Sequence, residues 1–191
     1  MLVALLPAAL LVSSTAATEY SHRGGGLTSA VMASVIGKLP PVKPPSGVAV
    51  HSGSELMRTV RLSGDYRADV PLILPSYTRL ILDGSIAAIP YTLRYTNESA
   101  GATQQCASMV TAKGATMVSV EGGQWTCEGW NSSKAQGDTT TVTAIYFDST
   151  SFSFIRDVNV TRCGMYSGGN NSSDVGIGRT VSTNARHASR R

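Results

Sequence analysis

The sequence predicts an all-β fold, a solenoid of about four stacked coils, and three observations predict it. Short apolar runs follow one another from Val60 onward as VRLSG, PLILPS, RLILDG, SMVTAKG, TMVSVEGG, AIYFDS, FSFIRD and VNVTRC, separated by Gly, Ser, Asn and Asp, with no helical periodicity among them. A phrase also recurs: TRLILDGSIAAIP at 78–90 returns as TMVSVEGGQWTCE, as FSFIRDVNVTRCG and, more faintly, as SDVGIGRTVSTNA. Finally, 15% of residues are charged and 19 are Gly, which suits a turn-rich, neutral-polar surface and argues against a helical bundle.

The elements follow in chain order. MLVALLPAALLVSSTAAT opens with an apolar run and closes in small residues, the pattern of an export signal over residues 1–17. Pro7 and the shortness of the run argue against a spanning helix, and no later segment is long enough for a stable membrane span. Residues 18–51, with GGG at 24–26 and KLPPVKPPSG at 38–47, read as a low-complexity, proline-rich linker. SGSELMRTV, residues 52–60, suggests one or two helical turns capped by Ser52 or Ser54.

The repeats occupy residues 52–185, and 186–191 form a basic tail. Leu80, Val118 and Phe154 begin matching phrases 38 and 36 residues apart, and Val175 begins another 21 further on. YTNESAGATQQ and NSSKAQGDTTT account for the longer intervals as polar insertions. Units of this kind cannot bury an apolar face alone, but stacked about 4.8 Å apart in parallel pairing they make a continuous interior. Leu80, Leu82, Val118, Val120 and Phe154 are expected to point inward. The third copy slips in phase, placing Arg156 where Leu82 and Val120 sit and leaving Ile155 as the alternative inward residue.

The net charge of +4 belongs to the tail: residues 179–191 hold four arginines and no acid, and the remainder balances at 12 basic against 12 acidic residues. A nucleic-acid surface, which needs basic residues gathered on an ordered face, is therefore not expected. Five N-x-S/T acceptors, at Asn97, Asn131, Asn159, Asn170 and Asn171, accord with export. Three cysteines without a CxxC or Cys/His cluster exclude a zinc site.

LSGDYRADVPLILPSYTRLILDG resembles the first coil of right-handed parallel β-helix proteins of the pectin-lyase-like superfamily, and VSVEGGQWTCEGW resembles the coil that follows in polygalacturonase-type members. The likeness covers roughly residues 52–185. It implies a right-handed parallel β-helix, secreted, that acts on or binds an extracellular polysaccharide, an acidic glycan. Polygalacturonase-like enzymes share an N-T-D motif, an adjacent Asp pair, a G-H-G and an R-I-K. None of these occurs, and His22, His51 and His187 all lie outside the repeats, so a complete active site is not expected in this chain. The alternative is a non-catalytic, glycosylated surface or adhesion module.

The aligned repeats bring Asp83, Glu121 and Asp157 into one file, where stacked carboxylates repel unless a cation or basic neighbour offsets them. Calcium is the natural cation for such a file, and the calcium-assisted lyases of the superfamily pair such sites with an arginine base, for which Arg156 and Arg162 are the candidates. Any cleavage chemistry thus rests on Glu121, Asp157 and Arg156. The competing reading of Asp-Gly and Glu-Gly at strand ends is turn chemistry. Trp125, Trp130, Tyr146 and Tyr166 form a sugar-stacking platform if they face outward, and otherwise fill the coil.

Cys127 and Cys163 fall in register 36 residues apart, which leaves a bridge and a reduced pair both open, with Cys106 unpaired. The repeats fade into an Arg-rich tail with no apolar content, so the solenoid is expected to be incomplete at its C-terminal end. An uncovered edge there favours self-association.

Overall fold

A computed structural model of the chain describes residues 18–42, 56–89, 106–127, 141–167, 173–177 and 180–183, without the side chains of 106–107, 141–142 and those from 164 onward. The expected export signal, the proposed Ser52 and Ser54 caps, Trp130, four of the five sequon asparagines (all but Asn159) and the basic tail lie outside these residues.

The described elements are β1 (Glu19–Arg23), β2 (Gly26–Leu27), α1 (Thr28–Ser34) with a 3-10 turn at Ile36–Lys38, β3 (Arg58–Ala68), β4 (Leu72–Ile73), β5 (Thr78–Ala88), β6 (Cys106–Lys113), β7 (Val118–Glu121), β8 (Gln124–Thr126), β9 (Thr141–Asp148), β10 (Ser151–Arg156), β11 (Val158–Thr161), β12 (Gly164–Ser167), β13 (Ser173–Ile177) and β14 (Thr180–Thr183). Among the described residues the fold is all-β apart from one short α-helix and its 3-10 turn, and every strand pairing is parallel.

The strands fall into three columns. The first stacks β1, the front of β3, the front of β5, β7, β10 and β13. The second stacks β2, the back of β3, the back of β5, β8, β11 and β14. β4, β6, β9 and β12 form the third as a separate sheet. The four passes that begin with β3, β5, β7 and β10 visit the three columns in turn.

A corner separates the first two columns, and its geometry dictates glycine. Gly64 and Gly84 stand directly opposite one another at φ +122 and +148. A Cβ on Gly84 would sit 2.1 Å from the Gly64 carbonyl oxygen, and one on Gly64 would sit 2.7 Å from the Gly25 nitrogen. Passes stack too closely at this bend for any side chain to fit. In the next passes Gly122 and Gly123, and then Asp157 at φ 55, turn the same corner.

Alternation within the strands supplies the core. Val60, Leu80, Val120 and Ile155 stand in one fully buried file in the first column. Tyr66, Ile86, Trp125 and Val160 make the file of the second, and Leu72, Val110 and Ile145 that of the third. Burying each of these large side chains stabilises the fold by about 1.5–3 kcal/mol before chain entropy is counted.

Phe154 was expected in the first file but lies half-buried on the opposite face, and Ile155 takes the inward place. Leu80 pairs with Val120 rather than with Val118. The cause is corner length: the pairing offset between the third and fourth passes is 40 residues before the corner and 39 after it, whereas matching the glycines by likeness imposes 38.

Residues 19–39 are not a linker. β1 lies along β3 from Glu19 opposite Thr59 to Arg23 opposite Ser63, and Val31, Val35 and Ile36 are buried in the common core. The stretch TSAVMAS holds good helix formers but no N-cap side chain at Leu27. Asp69 substitutes from 40 residues away, its Oδ1 accepting from the Ser29 backbone N–H at 2.9 Å and from Thr28 Oγ1 at 3.0 Å. Pro40 and Pro41 end the helical segment. Arg58, expected in a helical turn, begins β3. Its buried guanidinium donates to the Pro40 carbonyl, to the Ser76 carbonyl at 2.5 Å and to Thr78 Oγ1 at 3.2 Å, which ties residue 40 to the strands.

Cys127 and Cys163 form a disulfide across 36 residues, with Cα atoms 5.2 Å apart. Among the described residues, no helix is long and apolar enough to cross a membrane.

Candidate functional site

The outer face of the first column carries charge. In β3, β5, β7 and β10 the residues alternating with the core positions include Arg61, Arg79, Asp83, Glu121 and Arg156, with Ile81, Ser119 and Phe154 among them, joined by Glu19 from β1. Glu121 stands opposite Ile81 on one side and Arg156 on the other, so Arg156 reaches it across one strand spacing and Arg79 reaches it diagonally.

Arg79 clamps Glu121 with two bonds, Nε to Oε1 at 2.8 Å and Nη2 to Oε2 at 2.7 Å. Arg156 Nη2 donates to Oε2 at 2.6 Å, and Ser119 Oγ donates to Oε1 at 3.2 Å. Two-point clamping of this kind is the stronger form of ion pair. The Glu121 side chain is 8% exposed, while Arg79 and Arg156 are 38% and 46% exposed. Burial pushes the Glu121 carboxyl up, but the hydrogen bonds and positive charge of Arg79 and Arg156 outweigh it and hold the group below its ordinary value. The Arg156 guanidinium also lies 5.6 Å from the Phe154 ring centre.

One carboxylate between two guanidiniums leaves the triad with a net positive charge and spare donors. Among the described residues Arg79 Nη1 and Arg156 Nε and Nη1 meet no hydrogen-bond acceptor, and both guanidiniums are held in place by a group beneath them. The neighbouring triad is the reverse: Arg61 bridges Glu19 at 3.1 Å and Asp83 at 2.6 Å, with all three side chains at least a third exposed. The bond to Asp83 foremost, then that to Glu19, pushes the Arg61 pKa up.

The expected file of Asp83, Glu121 and Asp157 does not form. Asp83 lies opposite Ser63 and bonds Arg61, Glu121 lies opposite Ile81 and Arg156, and Asp157 is exposed at the corner. Each acid borders the corner, but only Asp157 has the left-handed backbone of a turn residue, at φ 55, while Asp83 and Glu121 are strand residues paired to arginines. A calcium ion does not suit these residues: both Glu121 oxygens already accept from guanidiniums. Among the described residues no three His, Cys, Asp or Glu side chains gather as metal ligands.

As a cleavage set, Glu121, Asp157 and Arg156 are only partly united. Arg156 contacts Glu121, Asp157 contacts neither through a hydrogen bond or ion pair, and an ionised, clamped Glu121 is no proton donor near neutral pH. Arg162 is exposed and separate from the triad. Trp125 fills the core with its indole N–H on the Gly122 carbonyl at 2.9 Å, and Tyr146 is buried, so neither presents a ring to solvent. Tyr146 and Tyr166 are register partners in β9 and β12.

Sequence reasoning missed Arg79 as a site residue. The signal was present as a charged residue one place before Leu80, but it points to Glu121 only once the offset of 40 is known.

No protein-family model matches the chain, and no curated protein or solved structure matches it.

Proposed function

We propose that the chain is a right-handed parallel β-helix of the pectin-lyase-like kind, exported, that binds an extracellular acidic polysaccharide along the outer face of its first column without a complete active site. Three parallel columns, visited in turn by four successive passes, support the architecture. The Arg79–Glu121–Arg156 triad carries the ligand reading: two immobilised guanidiniums, on the passes either side of the one that carries Glu121, offer fork-shaped donors to carboxylate or sulfate groups of a polymer lying along the stack. Fixing both side chains in advance removes part of the ordering cost of binding.

The test is a titration of the purified chain with polygalacturonate and with a neutral glycan of similar length. Binding to the first alone is expected, weakening with added salt and falling roughly tenfold or more in the Arg79→Ala/Arg156→Ala double variant, a loss of about 1.4 kcal/mol. Undiminished binding by that variant, or equal binding of the neutral glycan, removes the triad from the reading. Assays for new reducing ends and for unsaturated products run beside the titration, and neither is expected to rise.

A further inference from the structure

We infer that Asn159, on the outer face of the second column, carries an N-linked glycan; this rests on the export reading above. Asn159, Val160 and Thr161 form an acceptor triplet within β11, the one such triplet whose asparagine lies among the described residues. Strand alternation decides its presentation. Val160 pairs with Trp125 in the buried file, so Asn159 and Thr161 lie together on the outer face, each half-buried.

One end of the Asn159 amide is buried without a hydrogen-bond partner, and the residue as a whole is half-buried. The backbone is already committed, with the Asn159 N–H donating to the Gly123 carbonyl at 3.0 Å, so a substituent on the side chain disturbs no ladder bond. In the outer row Asn159 stands between Val181 of β14 and Gln124 of β8, which is exposed, with Ser85 beyond Gln124. Gln124 and Ser85 tolerate a hydrated sugar above them. The corner at Asp157 separates this row from Arg79 and Arg156, so a glycan on Asn159 leaves the charged face of the first column clear.

The experiment expresses the full chain in a glycosylating eukaryotic cell in two forms, one with its own N-terminus and one behind a proven export leader. Secreted protein is treated with an N-glycan-releasing amidase in heavy-oxygen water and mapped by mass spectrometry. With the proven leader, the peptide containing residue 159 is expected to carry heavy-oxygen aspartate at that position, and Thr161→Ala is expected to abolish the label there alone. An unlabelled Asn159 in that secreted protein overturns the inference. Failure of the native N-terminus to deliver the chain outside the cell overturns the export reading instead, and the proven-leader form still decides Asn159.

Discussion

Glu121 shows how a buried charge is tolerated on the outer face of a β-sheet. Its carboxylate is out of water but accepts four hydrogen bonds, three of them from guanidiniums, so desolvation is offset by pairing. Glu121→Gln keeps the volume but sets a neutral amide, half of it a donor, against two arginines. The expected cost is about 1–3 kcal/mol at pH 7, read from urea unfolding. Because the folded-state value lies below the unfolded one of about 4.3, the contribution is full above that pH and is lost as pH falls through the lower folded value. The stability gap between the native chain and Glu121→Gln should therefore close under acid. A gap that is absent at pH 7, or constant down to pH 2, contradicts this account. The sequence marked Glu121 through its alignment with Asp83 and Asp157 in the repeats, but its partners were hidden because cross-strand neighbours depend on register, which residue likeness does not encode.

The first helix and the corners between columns show the same division among elements. α1 is too short to persist alone, and its N-terminus is completed by Asp69, whose carboxyl is pushed up by burial but held lower still by the bonds from Ser29 and Thr28. Asp69→Ala should cost about 1–2 kcal/mol and should speed amide hydrogen exchange across residues 29–36 before the strands respond. Uniform exchange behaviour in the variant would show that Asp69 does not hold the helix. Residues 18–51 looked like linker because their glycines and prolines dominate the composition. Those same residues make the tight turn at Gly24–Gly26 and the stop at Pro40–Pro41 around a helix whose buried side, Val31, Val35 and Ile36, is too small to stand out as a pattern.

Across the molecule, stability is carried by parallel contacts between passes, and the Cys127–Cys163 bridge is their covalent counterpart. It joins two successive passes just beyond β8 and β11, closing a loop of 36 residues. Chain-entropy arithmetic for a loop of that length gives a stabilisation of about 3–4 kcal/mol. Cys127→Ser/Cys163→Ser should lower the urea midpoint accordingly, and reduced native protein should unfold at the variant's midpoint. Identical midpoints for oxidised and reduced native chain would show that the bridge constrains nothing. The registered cysteines were visible in the sequence, and the choice between bridge and reduced pair came only from the 5.2 Å approach of their backbones.

Periodic apolar runs and recurring glycines were enough to specify strands, parallel stacking and most of the inward residues, because those features arise from local alternation and from steric limits at a bend. Which residue faces which across the passes was settled only in three dimensions. A corner that differs by a single residue between passes slides every neighbour along the file, and with it decided that Glu121 meets Arg79 and Arg156 rather than Asp83 and Asp157.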